Sequence, residues 1–163
     1  MSLRLPAHLS TKGAEFIGAF EGYRQFPYND AVNNATIGYG HLLHIGPVTA
    51  ADRAKYPNGL SRAQALKLLQ ADAEHCAAYI RTITPRIKNQ ARFDALVSIA
   101  FNCGTGVLYP NSTLGYDLRR PGREGAAEAF LLYCHAGGQV LPGLLRRRQA
   151  EKRMWLSGDY STT

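Results

Sequence analysis

A chain of 163 residues with 45% apolar content can bury a real core as one domain without disulfide staples. Its 19 basic and 12 acidic residues leave a net +7, which suits an anionic polymer such as a bacterial wall or nucleic acid. No run approaches the roughly 18 apolar residues of a membrane span, so stable membrane insertion is not expected.

Met1 to Ser10 lacks the apolar centre of a signal peptide. Ser10-Thr11 can cap a helix whose apolar positions Phe16, Ile17 and Phe20 recur at helical intervals, with Gly22 as its stop and Glu21 at its end. Gln25-Phe26-Pro27-Tyr28, then the turn formers Asn29-Asp30 and Asn33-Asn34, read as a hairpin carrying Asp30. Thr36 opens the β-like run Thr36-Ile37-Gly38-Tyr39-Gly40. From Leu60 the apolar spacing becomes helical. Ser61-Arg62-Ala63-Gln64 is a capping box, and Ala65, Leu66, Leu69, Ala73, Cys76, Ala77 and Ile80 predict one long helix behind a cleft. Pro85 interrupts it. A helix over 91–101 stopping at Gly104 follows, then shorter ones near 112–119, 123–135 and 143–157, the last ended by Gly158. The fold class is therefore α+β, mainly helical, in one domain over 1–163. A small β-containing lobe lies at about 22–59, and a helical lobe takes in 60–163 and the first helix.

Glycosidic cleavage needs a carboxylic acid to protonate the leaving oxygen and a second carboxylate to activate water or stabilise the oxocarbenium ion. Glu21 and Asp30 are the candidates, with the Thr36 hydroxyl able to hold a water beside Asp30. In that scheme Glu21 is partly buried, so that it stays protonated, and Asp30 is ionised.

Glu, eight residues, Asp, five residues, Thr is a spacing that falls on Glu21, Asp30 and Thr36, followed by Ile37-Gly38-Tyr39-Gly40-His41-Leu42-Leu43. With the blocks at 95–106, 111–114, 136–138 and 143–151, the chain resembles the phage-type lysozymes, or endolysin muramidases, of glycoside hydrolase family twenty-four. The resemblance covers about 10–160. It implies a lysozyme-like fold with a cleft between two lobes, hydrolysis of the β-1,4 bond between N-acetylmuramic acid and N-acetylglucosamine with inversion, and peptidoglycan as the partner of a monomer. It also implies accumulation in the host cytoplasm until a separate protein permeabilises the membrane. Leu42 and Phe101 become candidate sugar contacts, and Arg147 the arginine that approaches the catalytic glutamate. Where many relatives place a tryptophan before Ala136-Gly137-Gly138, this chain has Tyr133, and its one tryptophan is Trp155. A lytic transglycosylase or a non-catalytic wall-binding module are the alternatives; the presence of Asp30 favours hydrolysis.

His41, after Gly-Tyr-Gly, reads as a brace for the hairpin. His41 and His44 stand three apart, but no third ligand follows at conventional spacing, so no metal and no cofactor are expected. Cys76, Cys103 and Cys134 read as buried thiols in helical segments, with a pairing among them left open. Arg146-Arg147-Arg148 is otherwise a solvated charge run. No recognition motif accompanies the basic charge, so a nucleic-acid partner is not expected.

Overall fold

In the computed structural model, which describes residues 6–84, 87–122 and 125–163, Ser10 opens α1 (Thr11–Glu21) by accepting the Gly13 N–H on its hydroxyl at 3.0 Å. The chain divides into two compact units. One is Ile17–Asp72; the other joins the segment up to Phe16 to Ala73–Thr163, so α1 begins in one unit and ends in the other.

The Ile17–Asp72 unit is built on an antiparallel sheet of β1 (Arg24–Asn29), β2 (Ala35–Gly38) and β3 (His41–His44) in that order. The central β2 is buried throughout, and a loop covers the β1 edge, where Leu60 N–H donates to the Gln25 carbonyl at 2.8 Å. Gly18 and Gly38 allow close packing. A methyl group on Gly18 would stand 3.0 Å from the Tyr39 ring, and one on Gly38, which holds φ 69°, would stand 3.1 Å from the Ala65 methyl. Those contacts draw the end of α1 and the helix α3 (Arg62–Asp72) into this unit, which is therefore wider than the 22–59 expected. The expected capping box is present, with Ser61 N–H donating to Gln64 Oε1 at 2.8 Å and Gln64 N–H to Ser61 Oγ at 3.3 Å.

The short helix α2 (Ala50–Lys55) was not expected, although Thr49 and Asp52 form a capping box that marks its start. Asp52 also accepts from His44 Nε2 at 2.8 Å. That hydrogen bond raises the His44 pKa and, with the Thr49 donors, holds Asp52 well below the usual carboxylate range.

The long helix expected over 61–80 is broken. α3 ends at Asp72, Ala73 is a single turn residue that stays right-handed at φ −78°, ψ −6°, and the chain resumes as α4 (Glu74–Ile83). The apolar residues run on across the break, so periodicity could not reveal it. The expected interruption at Pro85 lies outside the described residues.

In the second unit, α5 (Gln90–Cys103) is the buried centre: Phe93 through Ala100 are all buried, and Gly104 at φ 82° stops it as expected. α6 (Thr113–Arg119) is capped by Ser112, whose hydroxyl accepts the Gly115 N–H at 3.0 Å. The helix expected over 123–135 is shorter: residues 123 and 124 lie outside the described residues, and α7 (Ala126–Ala129) gives way to a 3₁₀ turn at Phe130–Tyr133. A two-residue turn at Gly137-Gly138, both left-handed, then pairs β4 (His135–Ala136) with β5 (Gln139–Val140) and takes those residues out of helix. α8 (Pro142–Ser157) starts on a proline and stops at Gly158. Trp155 is buried against Phe130, with ring centroids 6.0 Å apart, while Tyr133 is half-buried.

Two buried carboxylates organise this unit. Asp94 on α5 accepts from Ser10 N–H at 3.1 Å, the Ser10 hydroxyl, Gln90 Nε2 at 2.8 Å and the Tyr160 hydroxyl at 2.7 Å. Glu151 on α8, fully buried, accepts from the Ser98 hydroxyl at 2.6 Å, Arg148 Nη2 at 2.9 Å and Arg147 Nε at 3.3 Å. Arg148 Nε also faces Glu151 Oε2 at 2.8 Å, an ionic contact without hydrogen-bond alignment. Burial pushes the Glu151 carboxyl up, against the opposing pull of Arg148 and Arg147. The arginine run is thus a solvated face only at Arg146; Arg147 and Arg148 are buried. Cys76 and Cys134 are buried as expected, the Cys76 thiol being pushed up to about 11 by burial. Cys103 is not. It lies exposed at the last residue of α5, with Arg148 Nη1 2.9 Å from its sulfur, and all three cysteines are free thiols.

Glu151→Ala would strand two buried guanidinium groups, and we expect a loss of about 3–5 kcal/mol in urea unfolding. A loss under about 1 kcal/mol would mean that the arginines find other partners. For the second pair, the raised His44 pKa stabilises the fold below about pH 6.5 and fades as the pH rises through the folded value. The lowered Asp52 pKa stabilises it above about pH 4 and fades as the pH falls. The gap in urea midpoint between wild type and His44→Asn should therefore be widest between about pH 4 and 6.5. An equal gap at pH 5.5 and pH 9 would refute the linkage.

Candidate active site

α1 ends at Glu21 because Gly22 takes φ 76°, a conformation that residues with a side chain avoid. Phe16 and Ile17 occupy the buried face of the helix, and the Glu21 side chain stands exposed in its last turn, not partly buried as expected.

Asp30 sits at the tip between β1 and β2. Its Oδ1 accepts two backbone donors, Val32 N–H at 3.0 Å and Asn34 N–H at 2.8 Å, while its own N–H donates to the Asn34 carbonyl at 2.9 Å. Asn33 takes φ 66° within this turn, a conformation that asparagine tolerates. The second carboxylate oxygen, Oδ2, has no protein partner among the described residues. One oxygen of Asp30 therefore holds the turn, and the other is not used by it.

Thr36 is buried on β2 and donates its hydroxyl to the Asn34 carbonyl at 3.2 Å, which leaves the oxygen lone pairs able to accept. A bulge sets its direction: Ala35 pairs with His44 but Thr36 with Leu42, so Leu43 is the extra residue on β3. Leu42 lies opposite Thr36 and is half exposed at 50%. His41 pairs with Ile37 and is held through Nδ1 by both oxygens of Asp72, at 2.9 and 3.0 Å, which ties β3 to the end of α3. His41 and His44 are thus each bound to a carboxylate. Among the described residues no group of three or more His, Cys, Asp or Glu side chains is placed to hold a metal ion.

Five of the candidate residues, Glu21, Asp30, Thr36, His41 and Leu42, lie in the Ile17–Asp72 unit. Phe101, half-buried on α5, and Arg147, buried on α8, lie in the other. The sequence reading missed the residues that orient these side chains. Asp72 and Asp52 are distant or unmotivated in sequence, whereas Asn34 was legible only as a turn former.

The phage lysozyme family matches residues 18–151. An endolysin of Acyrthosiphon pisum secondary endosymbiont phage 1 is 33% identical over 92% of this chain and 99% of its own length. An endolysin of Bacillus phage B103 is 32% identical over 93% of the chain, which spans only 55% of that relative. Among solved structures, a point mutant of P22 lysozyme superposes with a TM-score of 0.78 at 28% identity, covering 92% of this chain and 99% of the other. An endolysin from Escherichia coli O157:H7 phage FAHEc1 superposes with a TM-score of 0.75 at 30% identity, covering 94% and 96%.

Proposed function

Because the chain belongs to the phage lysozyme family, we propose that it is a peptidoglycan hydrolase: a muramidase that cuts the β-1,4 bond between N-acetylmuramic acid and N-acetylglucosamine during phage lysis of the host. The observation that carries this reading is Asp30, whose Oδ1 is used twice by the turn and whose Oδ2 is left open, nine residues after an exposed glutamate at a helix end. Glu21 donates its proton to the glycosidic oxygen as the bond to the anomeric carbon breaks. Asp30 takes a proton from the water that attacks that carbon, with Thr36 Oγ1 as the water's second anchor. Attack opposite the leaving group inverts the anomeric centre, an outcome that requires about 6.5–9.5 Å between the two carboxyls to admit the water. With Glu21 exposed, the shielding from water that a general acid needs is supplied by the bound sugar.

Leu42, which lies half exposed opposite Thr36, is suited to packing against the apolar face of a sugar ring. His41 braces β3 through Asp72. The family resemblance makes Phe101 a further candidate sugar contact and Arg147 the arginine associated with the catalytic glutamate. The net +7 draws a monomeric enzyme to the anionic wall. Among the described residues no helix is long and apolar enough to cross a membrane. Accumulation in the host cytoplasm and release by a separate permeabilising protein are what the family resemblance implies.

Clearing of purified peptidoglycan by wild type, Glu21→Gln and Asp30→Asn, followed by mass analysis of the fragments, tests this. The wild type should release fragments with free reducing N-acetylmuramic ends, and Glu21→Gln should be slower by about 10²- to 10⁴-fold. Anhydro ends would instead identify a lytic transglycosylase, and binding without cleavage a wall-binding module.

A further inference from the structure

Asn34 is the residue on which the hydrogen bonds of the Asp30 turn converge. Its N–H holds Asp30 Oδ1 at 2.8 Å, and its carbonyl accepts both the Asp30 N–H at 2.9 Å and the Thr36 hydroxyl at 3.2 Å. One residue's backbone thus touches both of the side chains assigned to the water. The side chain adds a tie of its own: Asn34 Oδ1 accepts the Gly46 N–H at 3.0 Å, while the neighbouring Ala35 N–H donates to the Gly46 carbonyl at 2.7 Å. Gly46, at φ 97°, lies just past β3. Asn34 and Ala35 therefore grip a fixed point of the chain, and the grip falls at the bulge where the pairing of β2 with β3 slips. At the other end of the turn Asn29 Oδ1 accepts the Val48 N–H at 2.7 Å, so the hairpin is tied to the segment after β3 on both sides of Asp30, and Asn34 is the tie on the Thr36 side.

On the reading above, in which Asp30 and Thr36 hold the hydrolytic water, we infer that Asn34 is a positioning residue for that water. Its backbone sets the spacing of the two side chains, and its amide oxygen locks the spacing to Gly46. Asn34 does not touch the substrate. Its effect is on the turnover step, because a shift of about 1 Å in a water-holding pair costs on the order of 10²-fold in rate while leaving sugar binding elsewhere intact.

The test uses soluble peptidoglycan oligomers and the full chain. Asn34→Ala keeps the backbone hydrogen bonds, including that from Ala35 to Gly46, and removes only the side-chain tie to the Gly46 N–H; Asn34→Asp keeps an acceptor for that N–H. We expect Asn34→Ala to lose about 10- to 100-fold in kcat with KM within about twofold of wild type, and Asn34→Asp to recover kcat to within about threefold. Thermal unfolding of the same samples supplies the folded fraction by which kcat is corrected. An unchanged corrected kcat in Asn34→Ala, an equal loss in Asn34→Asp, or a loss carried in KM would each overturn the inference. Asp30→Asn is the control that separates the two readings. An inactive Asp30→Asn beside a normal Asn34→Ala removes only the role of Asn34, whereas a fully active Asp30→Asn removes the hydrolytic assignment and the positioning role with it.

Discussion

The division of labour between the two oxygens of Asp30 is the constraint from which the candidate site in the Ile17–Asp72 unit follows. Oδ1 is saturated by the Val32 and Asn34 amides, and this is what closes the turn between β1 and β2. A carboxylate fixed through one oxygen presents the other in a constant direction, so in the proposed mechanism the turn that positions the nucleophilic water is made by the same residue that activates it. Removing only the charge, as asparagine does, leaves an acceptor for those amides. Removing the oxygens would dismantle the turn as well.

Elsewhere the same economy appears with buried charge. Asp94 gathers donors from Ser10, Gln90 and Tyr160, and so joins the start of α1 and the chain terminus to α5. Glu151 gathers Ser98, Arg147 and Arg148 between α5 and α8. Such clusters cost free energy to desolvate and contribute little net stability, but breaking one leaves an unpaired buried charge. The Glu151 cluster therefore specifies how α5 and α8 meet more than it strengthens the contact. Arg147 comes to the functional reading from a cluster that already fixes its guanidinium.

Much of this was legible in the residues. Local signals located α1, α5, α6 and α8 almost to their ends, because capping hydroxyls and terminal glycines act through hydrogen bonds and dihedral preferences inside a few residues. Failures came where tertiary contacts override local preference. The break at Ala73 sits inside an unbroken apolar stripe, and the β4–β5 turn removes Cys134 and His135 from a segment whose composition is helical. Cys103 was read as buried from the apolar helix that precedes it, but it is the last residue of that helix, where the packed face ends.

By itself the sequence determined which chemistry is available: two carboxylates and a hydroxyl at family spacing, a glycine to stop the helix after the first, and turn formers around the second. It determined the family for the same reason, since residue types at fixed separations are preserved in the linear chain. Only the tertiary structure decided how those groups are held. The exposure of Glu21, the bulge that aims Thr36, the Asp72 carboxylate behind His41 and the grip of Asn34 on Gly46 all depend on contacts between residues remote in sequence or on the register of paired strands. Register and long-range pairing arise from the joint packing of several elements, and no local pattern encodes them.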